Sequence, residues 1–505
     1  MLDNLMLGFQ TALTPENLFW CFVGVFVGTV IGVLPGLGST TGVAVLLPLT
    51  LAFEPVTALI MLAGIYYGSQ YGGTITSVLI STPGEAASVV TTLDGYQMAR
   101  RGRAGAALSI AAIGSFVAAI ISLLLLILLA PPFAEFALRF GPPEMMAVMV
   151  LGLATIISFA GDNRVLGLLM ALVGLLIACV GVDTGTGVAR YTFDSIYLLS
   201  GIPFVEVMIG LFAVGEVLNQ IHEGAARPIR AGFRELMITK ADIMRSRGAI
   251  LRGSFLGFAF GVLPGAGSTL ASFMAYGIEK NVSKSKDEFG RGAIEGVAAP
   301  ESANNAAANA NFVPTLTLGI PGGATTAVLL GAFLMNGIRP GPLLFDEQPD
   351  LVWGLIASFF IGNVILLALN LPLAPVFAQI LRVPYGYMYP LILLTSFVGA
   401  YSITNSMFSV WVVLVFGIIG YGMKRLDFPM APLVLGLVLG PLFEKALVQT
   451  SALGDGSLAI LLDRPIALTV LVLALLQVVA PTIFSRLLRD RRAAAAQESD
   501  LTPRR

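Results

Sequence analysis

The sequence predicts an all-α polytopic membrane protein built from two inverted repeats, with Pro/Gly-broken helices, re-entrant hairpins and roughly 10–13 membrane elements. Three observations lead to this fold class. Of the 505 residues, 56% are hydrophobic and 12% are charged, whereas soluble domains carry ~25% charged residues. Apolar stretches long enough to cross a bilayer recur along the chain, and mean hydropathy is +0.87. One glycine- and proline-containing motif interrupts these stretches in two nearly identical copies.

The apolar stretches recur from the first part of the chain to the last. A membrane-spanning helix needs ~20 predominantly apolar residues. The stretches lie at 18–34, 105–130, 144–160, 165–182, 201–218, 352–380, 391–400 with 406–421, and 466–485. The polar segments between them are too short to hold a separate soluble domain, and the missing basic N-terminal region argues against a cleaved signal peptide.

Composition also excludes several classes of function. The net charge of −1 argues against nucleic-acid binding, which needs a basic face. Cys21 and Cys179 lie in apolar stretches and are expected in the core, while the single histidine, His222, begins a polar loop. Metal-binding spacings, a phosphate-binding Gly-Lys-Ser/Thr loop and a dinucleotide fingerprint are absent from the sequence. We therefore expect no enzyme and no organic cofactor, and any transport must use Na⁺ or H⁺ as the coupling ion, or a partner.

The first repeated motif reads Gly-Val-Leu-Pro-Gly-Leu-Gly-Ser-Thr at 32–40 and Gly-Val-Leu-Pro-Gly-Ala-Gly-Ser-Thr at 261–269. Proline removes one helical hydrogen bond and glycine adds backbone freedom, so each copy should break a helix. Broken backbone at membrane depth is tolerated where it is buried or lines a wet cavity. One such break in each half predicts the binding site of a transporter.

A second motif pair extends the repeat. It reads Ser-Thr-Pro-Gly-Glu at 81–85 and Gly-Ile-Pro-Gly-Gly at 319–323. Pro35 corresponds to Pro264 at an offset of 229, and Pro83 corresponds to Pro321 at an offset of 238. The second half therefore has nine extra residues between its motifs, for which the polar segment 281–290 is the expected place. Because an internal repeat of this length indicates the overall architecture, we consider it before any local feature.

Basic residues predict how the halves are oriented. Lysine and arginine collect on the cytoplasmic side of a membrane. None precedes Arg100, whereas the loop before the second copy of the first motif carries seven between 227 and 252. This swap of sides favours an inverted repeat, with a parallel repeat as the alternative. The apolar arms at 253–262 and 268–277 are about half a bilayer long and predict a re-entrant hairpin, with 18–52 as its longer-armed partner. The predicted organisation is a first membrane half at 1–221, a basic cytoplasmic linker at 222–252, a second membrane half at 253–485 and a cytoplasmic tail at 486–505.

Small polar side chains follow the breaks in both halves. A helix that starts there presents free N–H groups and a positive dipole end, which suit a carboxylate. A helix N-cap explains one hydroxyl per break but not two or three. The predicted substrate-binding residues are Ser39, Thr40, Ser81, Thr82, Ser268, Thr269, Asn304, Asn305, Thr325 and Thr326. Loop carbonyls and hydroxyls suit Na⁺, and the predicted cation-binding residues are Gly36, Gly38, Gly265, Gly267 and Asn309.

The least membrane-like stretch inside the repeat is Pro-Glu-Ser-Ala-Asn-Asn-Ala-Ala-Ala-Asn-Ala-Asn at 300–311. Amides are costly against lipid, so this stretch favours a cavity or ion site; a tight polar contact between helices is the alternative. Its counterpart in the first half is 66–74. Acidic residues within these elements are functional candidates. However, Glu85 follows a turn and is expected near a surface, and Asp94 is expected to pair with Arg100 or Arg101.

Taken together, the motifs at 32–38, 67–73, 82–85, 93–96, 101–105, 261–267, 299–305 and 319–322 resemble those of the large membrane subunit of the tripartite tricarboxylate transporters. The resemblance covers essentially the whole chain. It implies a translocating subunit with two partners, a small membrane subunit and a periplasmic solute-binding protein. It also implies carboxylate substrates such as citrate, taken up with cations, commonly Na⁺.

We therefore expect a multi-pass protein of the bacterial inner membrane that imports tri- or dicarboxylates by cation symport and alternating access. Few arginines lie near the repeat, so helix N-termini, hydroxyls and co-bound cations are expected to neutralise the substrate. The alternative is an ion channel or cation/proton exchanger in which the two breaks form a filter.

Overall fold

The structure is a computed structural model and describes residues 2–159, 164–183, 186–220, 238–265, 267–377, 379–380 and 385–477. These residues are mainly helical, and the two strands among them, β1 (Gly181–Val182) and β2 (Ala189–Arg190), pair as a short antiparallel hairpin. Five of the described helices are long and apolar enough to cross a membrane, with six shorter apolar helices beside them. Their outer faces carry exposed apolar side chains, such as Trp411 and Ile418. The predicted all-α polytopic membrane fold is confirmed.

The first half contributes ten helices among the described residues. They are α1 (Leu2–Ala12), α2 (Pro15–Val33), α3 (Gly38–Leu46), α4 (Pro55–Ile80), α5 (Thr91–Arg100), α6 (Ala104–Ala137), α7 (Pro142–Phe159), α8 (Arg164–Ala178), α9 (Phe204–Met208) and α10 (Gly215–Gln220). Short 3₁₀ turns lie at Leu47–Ala52, Ala86–Ser88 and Ile196–Leu198, and a π-helical turn at Ile209–Val214 joins α9 to α10.

The second half contributes the remaining described helices. They are α11 (Lys240–Gly261), α12 (Gly267–Val282), α13 (Glu295–Ala310), α14 (Phe312–Leu318), α15 (Ala324–Met335), α16 (Leu344–Glu347), α17 (Pro349–Phe377), α18 (Tyr385–Thr404), α19 (Met407–Arg425), α20 (Met430–Leu453), α21 (Ile460–Asp463) and α22 (Pro465–Gln477). A 3₁₀ turn at Lys286–Glu288 lies in the segment where the extra residues were expected.

The first motif breaks a helix in both halves, as predicted. The break separates α2 from α3 in one half and α11 from α12 in the other. Gly36 and Gly265 have φ angles of 79° and 80°, and Gly38 and Gly267 have φ angles of 62° and 64°. Only glycine adopts this left-handed region without strain. The same backbone path therefore follows directly from the same spacing of glycines.

The second motif also breaks a helix at equivalent positions. Ser81 ends α4 with φ 58° and ψ 21°, and Gly319 ends α14 with φ 68° and ψ 22°. The two residues are related by the offset of 238 found in the sequence. Ser81 adopts a left-handed conformation that is uncommon for a residue with a side chain.

Equivalent helix pairs pack through glycines. A Cβ atom at Gly28 would fall within 3.0 Å of the Ile65 backbone, and one at Gly257 would fall within 3.0 Å of the Ala303 backbone. Gly257 and Ala303 are the counterparts of Gly28 and Ile65 at offsets of 229 and 238. Further equivalent pairs are Gly24 with Met61, Gly253 with Ala299, Gly32 with Ser69, and Gly261 with Ala307. The repeat therefore includes the contacts of α2 with α4 and of α11 with α13.

The helices of the second predicted hairpin extend beyond the apolar arms at 253–262 and 268–277. The helices α11 and α12 contain 22 and 16 residues. Thr239 and Asp242 form a capping box that starts α11 well before its apolar part. Arg252 lies within α11 and binds Glu279 of α12 through two hydrogen bonds. Residues 240–252 of the predicted linker are thus helical.

The two halves pack together through hydrophobic clusters that contain residues of both, in the described part of the chain. Helix α6 of the first half packs against α11 and α13 of the second, and α17 packs against α1, α2 and α4. His222, Arg227, Arg230, Arg234 and the tail at 486–505 lie outside the described residues.

Candidate functional site

The helices that begin after the breaks meet one another across the two halves. The Ser39 hydroxyl at the start of α3 lies 2.9 Å from the Thr325 hydroxyl at the start of α15. Thr40 also lies 2.9 Å from Thr325, oxygen to oxygen. Ser39 donates in addition to Glu85 Oε1 at 2.7 Å. The first break of one half therefore contacts the second breaks of both halves.

Glycines bring the start of α12 close to the second break of its own half, as they do for the start of α3 in the first half. A Cβ atom at Gly267 would lie 4.0 Å from the carbonyl oxygen of Gly322, and one at Gly38 would lie 3.9 Å from that of Gly84. A Cβ atom at Gly323 would lie 3.5 Å from Gly267 Cα. We call this cluster, made of 38–40, 84–85, 267–268 and 322–326, the junction.

Unpaired oxygen atoms concentrate beside the junction, next to the Tyr66 phenol. Asn311 donates its side-chain amide to Tyr66 Oη at 3.1 Å, which leaves Asn311 Oδ1 without a hydrogen-bond partner. Glu85 Oε2 is a buried atom that also lacks a partner. The Ser268 hydroxyl lies within hydrogen-bonding reach of Tyr66. Buried polar atoms are almost always paired in proteins, so such a cluster requires an explanation.

The position of Glu85 corrects one expectation. We expected this residue near a surface because it follows a Pro-Gly turn, but its carboxylate points inward and Oε2 is inaccessible. The hydroxyl of Ser39 and the capping turn at Ala86–Ser88 hold the residue there. The repeat itself pointed to an inner position, because Glu85 aligns with Gly323, which belongs to the corresponding break of the other half.

A second carboxylate, Glu301, lies inside the protein on α13. It is fully buried, and its Oε2 accepts a hydrogen bond from Thr74 at 2.6 Å while Oε1 accepts one from Thr91. Glu301 is close enough to Glu85 for their charges to interact. Ion pairs formed by the described residues include neither of these two carboxylates. In this part of the chain, hydrogen bonds from the hydroxyls of Ser39, Thr74 and Thr91 hold the two carboxylates.

Asp94 does not form the predicted ion pair. Its Oδ1 accepts hydrogen bonds from the backbone N–H groups of Gly292 at 2.7 Å and Ala293 at 2.8 Å. Its Oδ2 accepts one from the Tyr276 hydroxyl at 2.9 Å. The expected pairing with Arg100 or Arg101 is wrong because Asp94 is fully buried and satisfies unpaired N–H groups just before α13.

The asparagine-rich stretch forms the buried helix α13. Asn304 has no hydrogen-bond partner for either side-chain atom, whereas Asn305 donates to Ser115 Oγ at 2.7 Å. Asn309 donates to the carbonyl oxygen of Ala119 at 3.3 Å, and its own Oδ1 is unpaired. Asn305 also lines a cavity of about 10 Å³ with Tyr71 and others, a volume sufficient for about one water molecule. Both alternatives for this stretch, a polar helix contact and a polar cavity, thus have some basis in the structure.

The predicted site residues divide into distinct environments. Ser39, Thr40, Ser268 and Thr325 lie in the junction, and Gly38 and Gly267 allow its close contacts. Thr326 serves as a local cap, because its hydroxyl accepts from the Gly323 N–H at 2.9 Å. The remaining predicted residues lie around the junction at a helix end, a turn or the α13 core: Ser81, Thr82, Thr269, Gly36, Gly265, Asn304, Asn305 and Asn309. Of these, Gly36, Ser81 and Thr269 are exposed.

Sequence reasoning missed a polar network that holds the first break. Gln220 donates to the carbonyl oxygen of Pro35 at 2.6 Å and to Glu216 Oε1 at 2.6 Å. Lys424 binds both oxygens of Glu216 at 2.6 Å. No pattern in the sequence links α10 and α19 to residue 35, since 185 residues separate Gln220 from Pro35 and 208 separate Lys424 from Glu216. Only the packing of the helices brings them together.

Comparison with known proteins places these features in a family. The family model described as "Tripartite tricarboxylate transporter TctA family" matches residues 18–435. An Agrobacterium vitis protein described as "Uncharacterized 52.8 kDa protein in TAR-I ttuC' 3'region" is 48% identical over 503 residues, covering 99% of both chains. A second protein of that organism, from the TAR-II ttuC' 3'region, is 46% identical over 244 residues, covering 48% of this chain and 100% of its own. No solved structure matches this chain.

Proposed function

Because the chain belongs to the TctA family of tripartite tricarboxylate transporters, we propose that it is the translocating subunit of a carboxylate importer. The importer uses a cation gradient and receives its substrate from a binding protein. Its substrates are tri- and dicarboxylates such as citrate. It operates by alternating access in the bacterial inner membrane, with a small membrane subunit and a periplasmic solute-binding protein as partners.

The observation that carries the proposal is the junction itself. The N-termini of α3 and α15, from opposite halves, meet with their hydroxyls in contact. Free N–H groups and a positive dipole end at each terminus attract a carboxylate. Discontinuous helices that meet between repeats are the usual place for a transporter's binding site.

The equivalent breaks also support alternating access. In the proposed topology the halves are inverted, so the junction lies between two similar bodies that can rock against each other. The glycine contacts of α2 with α4 and of α11 with α13 would keep each body rigid. The breaks, where helical hydrogen bonds are missing, would absorb the movement.

Charge gives the reason for ion coupling. Glu85 and Glu301 are close to the proposed site and are not ion-paired within the described part of the chain. A carboxylate substrate would be repelled by both, and this repulsion is strong where water is excluded. Bound cations would remove the repulsion, so uptake should depend on the gradient of Na⁺ or H⁺.

Reconstitution of this chain with its two proposed partners tests the function. Uptake of labelled citrate and related carboxylates is measured with and without a Na⁺ gradient, a proton gradient, or the binding protein. We expect gradient-dependent uptake that requires the binding protein. Uptake that proceeds equally well without any ion gradient would contradict the proposal.

Two hydroxyl variants test the site. Ser39→Ala removes the hydrogen bonds to Glu85 and Thr325, and Ser268→Ala removes the equivalent hydroxyl of the second half. One hydrogen bond to a charged group contributes about 1.5–3 kcal/mol, so we expect uptake to fall by at least about tenfold in Ser39→Ala. Ser254→Ala is the control, because this buried hydroxyl bonds only to Ile250 of its own helix. Unchanged uptake in both junction variants would remove the site from the proposal.

The alternative function is a cation channel or cation/proton exchanger. The Glu85 carboxylate, which has one unpaired oxygen and lies at the second break, favours passage of cations. Cation flux without uptake of any solute across a broad panel of carboxylates would support this alternative.

A further inference from the structure

The carbonyl oxygen of Pro35, in the first break, is bonded by a residue from outside the motif. Gln220, the last residue of α10, is buried and donates its side-chain amide to this oxygen at 2.6 Å. Carbonyl groups at the end of a helix have no partner within the helix, so the bond satisfies one of them. Gly36 and Gly38 then turn the chain, with their left-handed φ angles, into α3. The bond therefore holds the backbone three residues before α3 begins.

Three neighbouring groups fix the orientation of the Gln220 amide. Its two N–H donors go to the Pro35 carbonyl and to Glu216 Oε1, both at 2.6 Å. The Tyr389 hydroxyl of α18 shares its hydrogen between Gln220 Oε1 at 3.3 Å and the Gln220 backbone carbonyl at 3.2 Å. Lys424 of α19 binds both oxygens of Glu216. Each polar atom of the amide has a partner, which favours a single position of the side chain.

The first break also fits closely against this amide. A Cβ atom at Gly36 would lie 2.1 Å from Gln220 Nε2 and 2.6 Å from Glu216 Oε1, whereas real Cβ contacts exceed 3.0 Å. Glycine at this position therefore allows both the φ angle of 79° and the approach of the amide. The equivalent break lies against a different neighbour, because a Cβ atom at Gly152 of α7 would lie 3.9 Å from Pro264 Cβ. Gln220 thus acts on the first break, and the second break provides an internal comparison.

The segment before Gln220 holds α3 at a second point. The π-helical turn Ile209–Val214 leads into α10, and its Phe212 carbonyl accepts a hydrogen bond from Thr41 of α3 at 3.0 Å. Such turns are frequent at functional sites. The segment packs tightly on α19, because a Cβ atom at Gly210 would lie 2.7 Å from the Val413 carbonyl oxygen. One segment, supported by α19, therefore contacts both the first break and the helix that follows it.

We propose that Gln220 is a positioning residue for the proposed binding site. By holding the Pro35 carbonyl, it sets the direction in which the N-terminus of α3 presents Ser39 and Thr40 to α15. The inference rests on the proposed function, since it takes the substrate carboxylate to bind at these N-termini. Gln220 acts through the backbone of the break, and Glu216 and Lys424 act by holding Gln220.

Loss of this hydrogen bond should weaken substrate binding. The N–H groups of a helix N-terminus bind an anion best when they already point at it. A loosened break must be ordered when the substrate binds, which lowers affinity. In Gln220→Met we expect the KM for the carboxylate to rise about tenfold, which corresponds to about 1.4 kcal/mol. The maximal rate should stay close to that of the wild type, because the lost term is one of binding.

The first measurement is hydrogen exchange in the full chain, in nanodiscs and without substrate. The backbone amides of 42–46 in α3 are compared with those of the equivalent segment 271–275 in α12. Gln220→Met, which keeps the length of the side chain, should speed exchange of 42–46 severalfold and leave 271–275 unchanged. Asn219→Leu is the matched control, because Asn219 precedes Gln220 on α10 and donates to Gly215 of its own helix at 2.9 Å. It should exchange as the wild type does in both segments.

A second variant, Tyr389→Phe, protects the test against a folding defect. It removes the hydroxyl that bonds Gln220 and keeps the ring, so it should speed exchange of 42–46 less than Gln220→Met does. If Gln220→Met gives no monodisperse protein, Tyr389→Phe decides the outcome. Wild-type exchange at 42–46, or an equal acceleration of 42–46 and 271–275, would overturn the proposal.

Uptake by the reconstituted complex separates this inference from the proposed function. A wild-type complex that takes up no carboxylate would contradict the proposed function. Carboxylate uptake by the wild type, combined with an unchanged KM in Gln220→Met or with a loss confined to the maximal rate, would overturn the positioning role and leave the function intact. A raised KM together with faster exchange confined to α3 would support both.

Discussion

Replacing Gly257 by alanine should loosen the contact between α11 and α13 and destabilise the protein. The added Cβ would lie 2.7 Å from Ala303 Cα and 2.8 Å from its carbonyl carbon, whereas ordinary contacts are 3.4–4 Å. The obstruction is backbone, which cannot rotate away as a side chain can. Helix α11 would therefore have to move away from α13 by several tenths of an ångström.

The size of the effect follows from two opposing terms. Overpacking of a well-packed contact costs about 1–3 kcal/mol. Alanine in place of a helical glycine returns about 1 kcal/mol through helix propensity. We expect a net loss of up to about 2 kcal/mol for Gly257→Ala. The same loss is expected for Gly28→Ala, because its Cβ would meet the Ile65 backbone in the equivalent contact.

The assay compares these variants with Gly277→Ala on the neighbouring helix. No atom lies within 4 Å of a Cβ at Gly277, so that change should be neutral or stabilising by about 0.4–1 kcal/mol. Purified proteins are heated in detergent, and the temperature at which half of the monodisperse peak is lost is recorded. The reasoning is refuted if Gly257→Ala survives heating as well as the wild type, or if Gly277→Ala is equally damaging.

Three other predictions concern polar contacts. Lys424→Met leaves Glu216 without its cation. Glu216 is mostly buried, but the Lys424 side chain is 44% exposed. The loss of stability should therefore lie between that of a surface ion pair and that of a buried one, at about 2 kcal/mol. The double variant with Glu216→Gln should recover part of it in the heating assay, and a purely additive result would exclude direct coupling. Burial opposes ionisation of Asp242, but hydrogen bonds, chiefly from Arg103, outweigh it and lower the pKa of Asp242 below its usual value. The contribution of the Asp242 carboxylate to stability is therefore complete above about pH 4 and is lost as the pH falls further. The stability of Asp242→Asn should differ from that of the wild type at neutral pH and converge with it in acid. A difference in stability that is constant with pH would contradict this. Thr326→Ala removes the hydroxyl that bonds the N–H of Gly323, the N-cap of α15, and should cost about 1 kcal/mol, the net value of one hydrogen bond. An unchanged unfolding temperature would show that this bond is dispensable.

The breaks could be predicted from sequence because their cause is local. A left-handed φ at Gly36 and Gly265 depends on the absence of a side chain at that residue, and proline blocks a hydrogen bond within one turn. Repetition of the nonapeptide then predicts repetition of the backbone. Membrane embedding is equally local, since it depends on runs of apolar residues.

The sequence could not predict that residues at equivalent positions of the two halves have different surroundings. Thr40 contacts Thr325, whereas its counterpart Thr269 is exposed. Ser39 binds Glu85, whereas its counterpart Ser268 lies beside Tyr66. The flanking helices outside the repeat differ between the halves, and they determine which face of each short helix is covered.

The sequence by itself determined that the chain is a helical membrane protein with paired breaks in two related halves, because backbone preference and hydropathy act over a few residues. The tertiary structure alone decided that Ser39 meets Thr325, that Glu85 turns inward and that Asp94 caps the approach to α13 instead of pairing with an arginine. These contacts join residues from 46 to 286 positions apart. Their partners are chosen by the packing of helices around a shared core, and local sequence carries no record of that choice.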